Sequence, residues 1–191
     1  MSVIGLTGGI GTGKSTVSRY LEKKGFEIID ADQIGKDIVE PGSPLLDRLS
    51  EAFGAEFVVD GVLQRKKLGA YVFESAERKA KLDEIMMGTI ISIIKDRASS
   101  CIGNCIIDAP LLYEVGLDSE CDKVFVVDAD MEVRIQRVMA RDGISRQEII
   151  DRINNQMGAA EKAARADVVL DNSGDKEELY RQIDRAIEEY V

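Results

Sequence analysis

Short apolar runs alternate with longer amphipathic stretches along this chain, the pattern of a parallel α/β fold. Ser2–Leu6 reads as a buried strand and Ser15–Lys24 as a helix ended by Gly25. Phe26–Ile29 reads as a second strand, with Asp30-Ala31-Asp32 at its carboxyl end. Cys105–Ile107, Lys123–Val127 and Val168–Leu170 read as three more. Asp108-Ala109-Pro110 follows the first of these, Asp128 the second and Asp171-Asn172-Ser173-Gly174 the third. Ligands of open α/β sheets bind beyond the carboxyl ends of the strands, so these acids are candidates for one crevice.

Between the second and third strands lie roughly seventy residues with little strand character, long for a simple βαβ connection. Gln33–Val39, Pro44–Phe53, Arg65–Phe73 and Ser75–Ala98 read as helices, so this segment is expected to be a helical insertion carrying a second substrate site. Glu132–Asp142 reads as a helix bearing Arg134, Arg137 and Arg141. Ser145–Met157 is another, with Ser145 and Glu148 spaced as a capping box, and Ala159–Ala166 continues the helical character. The segment after Arg141 is polar and poorly suited to a core, as a mobile cover over a site would be.

Composition narrows the classes. At 191 residues the chain can bury one sizeable core. A hydrophobic share of 45% beside 31% charged residues is the balance of a globular protein rather than a disordered one. A net charge of −10 repels phosphate backbones and anionic lipid, so neither nucleic acid nor membrane is an expected partner. There is no histidine, so the chemistry must run on carboxylates, Lys, Arg, hydroxyls, thiols or a bound metal. Cys101, Cys105 and Cys121 have neither the number nor the spacing of a disulfide framework or a zinc site. No run approaches the ~20 apolar residues of a membrane span. Met1–Thr7 leads straight into structure without a signal-peptide pattern, so the cytoplasm is the expected compartment. No exposed heptad seam points to an oligomer, and a monomer is expected.

The most constrained motif is Gly8-Gly9-Ile10-Gly11-Thr12-Gly13-Lys14-Ser15, which fits the phosphate-loop pattern G-x-x-x-x-G-K-S/T at every defined position. A strand precedes it and a helix follows it, as the motif requires. Gly11, Thr12, Gly13, Lys14, Ser15 and Thr16 are therefore expected to cradle a nucleoside triphosphate through backbone amides and the helix N-terminus. Lys14 would reach the β- and γ-phosphates, and the Ser15 hydroxyl would ligate Mg²⁺. The guanine-recognition sequence Asn-Lys-x-Asp is missing, as is an ATP-binding-cassette signature. Length and helical insertion favour a small-molecule kinase.

Such an enzyme must orient and deprotonate an acceptor hydroxyl. Asp30 and Asp32 are both candidates for the base; Asp32 reads equally well as the N-cap of the following helix. Asp108 stands where a second metal-holding acid belongs, or serves as a turn residue before Ala109-Pro110. Arg137 and Arg141, at i and i+4, share a helical face with Arg134. They form either a clamp for the transferring phosphoryl group or a solvated face paired with nearby acids.

Taken together these segments resemble the dephospho-coenzyme A kinases of the bacterial type, over nearly the whole length. The resemblance rests on Gly5–Val17, on Asp30-Ala31-Asp32 with Val39-Glu40-Pro41-Gly42, and on Leu63-Gln64-Arg65 with Leu68, Val72 and Phe73. It continues through Asp108-Ala109-Pro110-Leu111-Leu112-Tyr113-Glu114 and Arg137–Asp142. The last block is Arg152-Ile153, Gln156-Met157, Lys162, Ala166-Asp167 and Asp171–Gly174. The resemblance implies phosphorylation of the ribose 3′-hydroxyl of dephospho-coenzyme A by ATP with Mg²⁺, the last step of coenzyme A biosynthesis.

It implies a P-loop kinase fold: a five-stranded parallel sheet flanked by helices, a helical substrate-binding insertion and a short helical lid. The nucleotide core would be 1–32, 99–140 and 165–191, the acceptor domain 33–98 and the lid 141–164. Asp32 becomes the proposed base. Arg65, Leu111 and Leu112 would meet the acceptor, Arg137 and Arg141 would face ATP, and Asn172–Gly174 would lie near the adenine. Two positions depart from the family: Met87-Gly88 replaces a usual His-Pro pair, and Arg134 stands where Gln is frequent. The alternatives are another small-molecule or nucleotide kinase of the same fold, and a non-catalytic nucleotide-binding regulator.

Overall fold

The computed structural model describes residues 2–191. The first strand, β1 (Val3–Gly8), is apolar on both faces, and every residue after Val3 is buried, as a central strand of a parallel sheet demands. Four more strands join it: β2 (Glu27–Asp30), β5 (Cys105–Asp108), β6 (Lys123–Asp128) and β7 (Val168–Asp171). Their order across the sheet is β2-β5-β1-β6-β7. β1 pairs in parallel with β5, Val3 opposite Cys105, and with β6, Gly5 opposite Val124. β6 pairs in parallel with β7, Phe125 opposite Val168. The chain leaves β1 to one side and returns on the other, which opens a crevice at the carboxyl end of the central strands.

Contacts divide the chain into two compact units, Met1–Ile29 with Ala98–Val191, and Asp30–Arg97. In the first, α1 (Lys14–Lys23) turns Val17, Ser18 and Leu21 inward. Val17 and Leu21 meet Ile4, Leu6, Phe125, Leu179 and Ile183 in one cluster. Leu179, Ile183 and Ala186 are the inner stripe of α9 (Lys176–Tyr190), an element that the sequence reading did not name. The rings of Tyr20 and Tyr180 stack at 3.9 Å, and the Tyr20 hydroxyl donates to Asp184, so α1 is braced along its length by α9.

The stretch between β6 and β7 forms α6 (Met131–Asp142), α7 (Arg146–Asn154) and α8 (Ala159–Arg165). Asp130 caps α6, and Ser145 with Glu148 closes the expected capping box on α7. The expectation of a coreless segment after Arg141 is corrected here. Ile149 is fully buried against Ile135 and Val138, with Ile10, Ile144, Ile150 and Ile153 packed around them. Isoleucines at i, i+1 and i+4 give α7 one apolar stripe amid its charges, enough to seat it.

The second unit is mainly helical: α2 (Ala31–Asp37), α3 (Pro44–Phe53), α4 (Arg65–Phe73) and α5 (Ala76–Ser100, which runs past its boundary). Ser43 caps α3 with Pro44 in its first turn, and Leu45, Leu46 and Leu49 are buried beneath it. The unit also contains a two-stranded hairpin, β3 (Val58–Val59) and β4 (Val62–Leu63), where only helices and loop were expected. Its turn is Asp60-Gly61 with φ of 51° and 73°, the positive pair of a type I′ turn. Helix α5 runs unbroken through Met87-Gly88, because neither residue interrupts the backbone ladder as a proline would.

Candidate nucleotide-binding site

The phosphate loop spans the end of β1 and the start of α1, and its shape is enforced from outside. Three of its carbonyls are held by protein donors. That of Gly9 accepts from the Thr12 amide and hydroxyl, at 3.3 and 2.9 Å. That of Ile10 accepts from Arg134 Nε at 2.9 Å, and that of Thr12 from Asn172 Nδ2 at 2.7 Å. With these carbonyls engaged by the protein, the loop's glycine amides are left to form a phosphate nest. Gly13 has a φ of 87°, and a side chain there would collide with Asn172 Nδ2. Gly9 is needed for closeness instead: a Cβ would come within 2.5 Å of Arg134 Nη2.

Lys14 opens α1 and bonds through its ammonium to the carboxylate of Asp108, at the end of β5. Asp108 is 5% exposed, so the pair is sheltered. The exposed Ser15 hydroxyl is adjacent in sequence. Two oxygen donors, one hydroxyl and one carboxylate, are the hard ligands Mg²⁺ takes, and it fills its remaining positions with water and phosphate. Ser15 and Asp108 therefore fit that ion.

The three arginines of α6 do not form one row of clamps. Arg134 is 5% exposed and lies under the loop, bonded to Ile10. Burial lowers its pKa, while the nearby Asp128 carboxylate raises it. Arg137 points toward the loop: its Nη1 lies 4.0 Å from where a Gly13 side chain would begin. That nitrogen is buried with no hydrogen-bond partner. Buried guanidinium donors are costly to leave unpaired, so this one is a candidate donor to an anion. Arg141 lies exposed and grips its neighbour Asp142, at 2.6 and 2.8 Å.

Other candidates are placed as follows. Asp30, not Asp32, caps α2, its carboxylate accepting from the Gln33 amide at 3.0 Å. Asp32 is thereby left in the first helical turn, exposed. Arg65 is exposed and pairs with Glu40 at 3.1 Å. Leu112 is a correction: it is 0% exposed and packs against Gly5, so it serves the core, whereas Leu111 is 38% exposed. Asn172 holds the phosphate loop through its side-chain amide, and Gly174 is an exposed turn residue. Of the other strand-end acids, Asp128 accepts from the Ala129 amide and Asp171 from the amide and hydroxyl of Ser173.

Behind the loop lies a second set of ties that the sequence reading did not assign. Lys162, 1% exposed, donates to the Pro110 carbonyl at 2.7 Å and pairs with Glu114 at 3.0 Å. Burial pushes the Glu114 carboxyl up, but the Lys162 hydrogen bond and the Met157 amide outweigh it and hold the group below its ordinary value. Gln156 accepts from the Ile10 amide at 3.2 Å.

Comparison with known proteins agrees with this geometry. The family model described as dephospho-CoA kinase matches residues 2–178. A dephospho-CoA kinase of Carboxydothermus hydrogenoformans is 44% identical over 96% of this chain and 91% of its own length. One from Fusobacterium nucleatum is 41% identical over 97% of each. The solved dephospho-CoA kinase of Campylobacter jejuni superposes with a TM-score of 0.70 at 25% identity, over 98% of this chain and 96% of that one. The chain belongs to the dephospho-CoA kinase family, enzymes of the P-loop kinase fold that use ATP to phosphorylate dephospho-CoA in coenzyme A biosynthesis.

Proposed function

We propose that this chain transfers the γ-phosphoryl group of ATP to the ribose 3′-hydroxyl of dephospho-CoA, with Asp32 as the base. The observation that carries the nucleotide side is the buried, unpartnered Nη1 of Arg137 beside Gly13. The loop amides hold the phosphates, Lys14 leaves Asp108 for the β- and γ-oxygens, and Arg137 completes the anion's coordination. Ser15 and Asp108 would hold Mg²⁺, which when bound neutralises phosphate charge. Asp32 takes the hydroxyl proton as the oxygen attacks phosphorus, and ADP leaves. Arg65 and Leu111 are assigned to the acceptor, and Gly174 to the adenine side.

The nucleotide core, 33–98 acceptor domain and 141–164 lid are proposed as the working parts. Arg141 would exchange Asp142 for the nucleotide when the lid closes and excludes water. No helix among the described residues is long and apolar enough to cross a membrane. The cytoplasm is the proposed compartment and a monomer the proposed unit.

The test is ADP release with Mg·ATP, with and without dephospho-CoA, and mass analysis of the product. Acceptor-dependent ADP and a product heavier by one phosphoryl group are the expected result. Asp32→Asn should lower kcat about 10²- to 10⁴-fold with ATP affinity kept. A near-normal kcat in that variant would remove Asp32 from the role.

A further inference from the structure

The apex of the phosphate loop is held by both main-chain polar groups of a single residue. The Ile10 amide donates to Gln156 Oε1 at 3.2 Å, and the Ile10 carbonyl accepts from Arg134 Nε at 2.9 Å. The two side chains stand on either side of the excursion through α7. Arg134 lies on α6 before it, and Gln156 lies just beyond the end of α7. The Ile10 side chain packs into the isoleucine cluster that α6 and α7 build.

The residues after Gln156 are fastened as well. The Met157 amide donates to Glu114 at 3.2 Å, and Lys162 bonds Pro110 and Glu114. The Pro110 carbonyl also accepts from the Thr7 hydroxyl at 3.1 Å, next to the loop's first glycine. A small cavity of about 30 Å³ lies among Gly9, Asp128, Arg134, Gln156 and Lys162. The root of the α7 excursion, the loop apex and the turn after Asp108 thus form one bonded unit.

The Ile10 amide is turned away from the mouth, so it needs a protein acceptor. Gln156 supplies that acceptor with a neutral oxygen, beside a guanidinium already committed to the Ile10 carbonyl. We infer that Gln156 is a positioning residue for phosphoryl transfer, holding the loop apex so that the phosphate-facing amides are set before ATP arrives. It touches no phosphate and acts through Ile10. Its effect must therefore fall on the nucleotide and spare the acceptor. The coupling to a moving cover rests on the lid reading above, whereas the positioning role does not.

The experiment is steady-state kinetics on Gln156→Leu and Gln156→Glu, with Glu188→Ala, exposed on α9 and outside the proposed lid, as the control. Gln156→Leu should raise KM for ATP about tenfold, which is 1.4 kcal/mol, and leave KM for dephospho-CoA within about twofold. Gln156→Glu keeps an acceptor oxygen and should restore KM for ATP to within about threefold of wild type. An unchanged KM for ATP in Gln156→Leu overturns the inference, and so does failure of Gln156→Glu to rescue while its melting temperature is normal.

Amide exchange of the wild-type protein covers the case in which Gln156→Leu does not fold: an unprotected Ile10 amide in the nucleotide-free enzyme also overturns it. Exchange separates the two readings. Residues 144–154 gaining no protection with ATP, alongside a raised KM in Gln156→Leu, would remove the lid and leave the positioning role.

Discussion

The ammonium of Lys14 rests on the carboxylate of Asp108, joining the phosphate loop to the strand beside it. Asp108 thereby takes the place on Lys14 that a phosphate must take. The same carboxylate is the proposed metal ligand, so it competes with ATP before binding and assists it afterward. Asp108→Asn should leave ATP affinity in EDTA equal or up to about threefold tighter, and lower kcat with Mg²⁺ by about 10²-fold or more. Titration calorimetry with and without Mg²⁺ separates these effects. A tenfold loss of affinity in EDTA would show that the carboxylate helps hold the nucleotide directly.

The closeness of Gly13 to Asn172 makes a second site sharp. Gly13→Ala puts a methyl group against the amide that secures the Thr12 carbonyl, in a left-handed backbone that alanine resists. The conformational penalty and the lost hydrogen bond together should cost about 2 kcal/mol of stability and most of the ATP binding. Thermal unfolding with and without Mg·ATP reads both, and a normal ATP-induced shift would contradict the geometry.

Gly88 offers the opposite sign. It lies exposed inside α5, and a Cβ there meets nothing within 4 Å. Gly88→Ala should stabilise the protein by about 0.5–1 kcal/mol through helix propensity, with activity unchanged. Denaturant midpoints measure it. A destabilised variant would mean that the residue needs its small size for a contact made only with substrate.

Glu114 gives the enzyme a pH dependence. Its folded-state pKa is held below the ordinary 4.5, chiefly by Lys162 against the opposing effect of burial. A depressed carboxylate stabilises the fold above its unfolded pKa and loses that contribution as pH falls through the folded value. Glu114→Ala should therefore cost about 3 kcal/mol at pH 7, because Lys162 is left buried without its partner, and the difference should shrink below about pH 4. Urea unfolding at pH 7 and pH 3.5 reads the change; a gap that stays constant would exclude this linkage.

Strand positions and the phosphate loop were readable because both follow short-range rules: apolar runs ending in Asp, and glycines at fixed spacing before Lys14-Ser15. The capping box at Ser145 was equally local. Arg134 misled because helical spacing puts it on a stripe with Arg137 and Arg141, while the side chain reaches under the loop to Ile10, far away in sequence. Asp32 reads as a possible cap, yet Asp30 is the cap, since where the strand ends decides which carboxylate meets the Gln33 amide.

Leu112 looked like a motif residue beside Leu111, yet only the packing against Gly5 shows it to be core. The hairpin at Asp60-Gly61 does carry a signal, a two-residue turn between valine-rich pairs, inside an otherwise helical insertion. Gln156 and Lys162 act through partners more than forty residues away, which no local pattern encodes.

The central place of β1 has a consequence for how the protein is made. Its neighbours in the sheet are supplied by Cys105–Asp108 and Lys123–Asp128, far downstream. At synthesis rates of roughly 5–20 residues per second, an emerging chain carries this apolar strand with both edges open for on the order of ten seconds. During that interval the segment is a template for pairing with other nascent chains. Recovery of active enzyme should therefore depend on what shields the first strand while the rest is translated, even though the finished sheet pairs it on both edges.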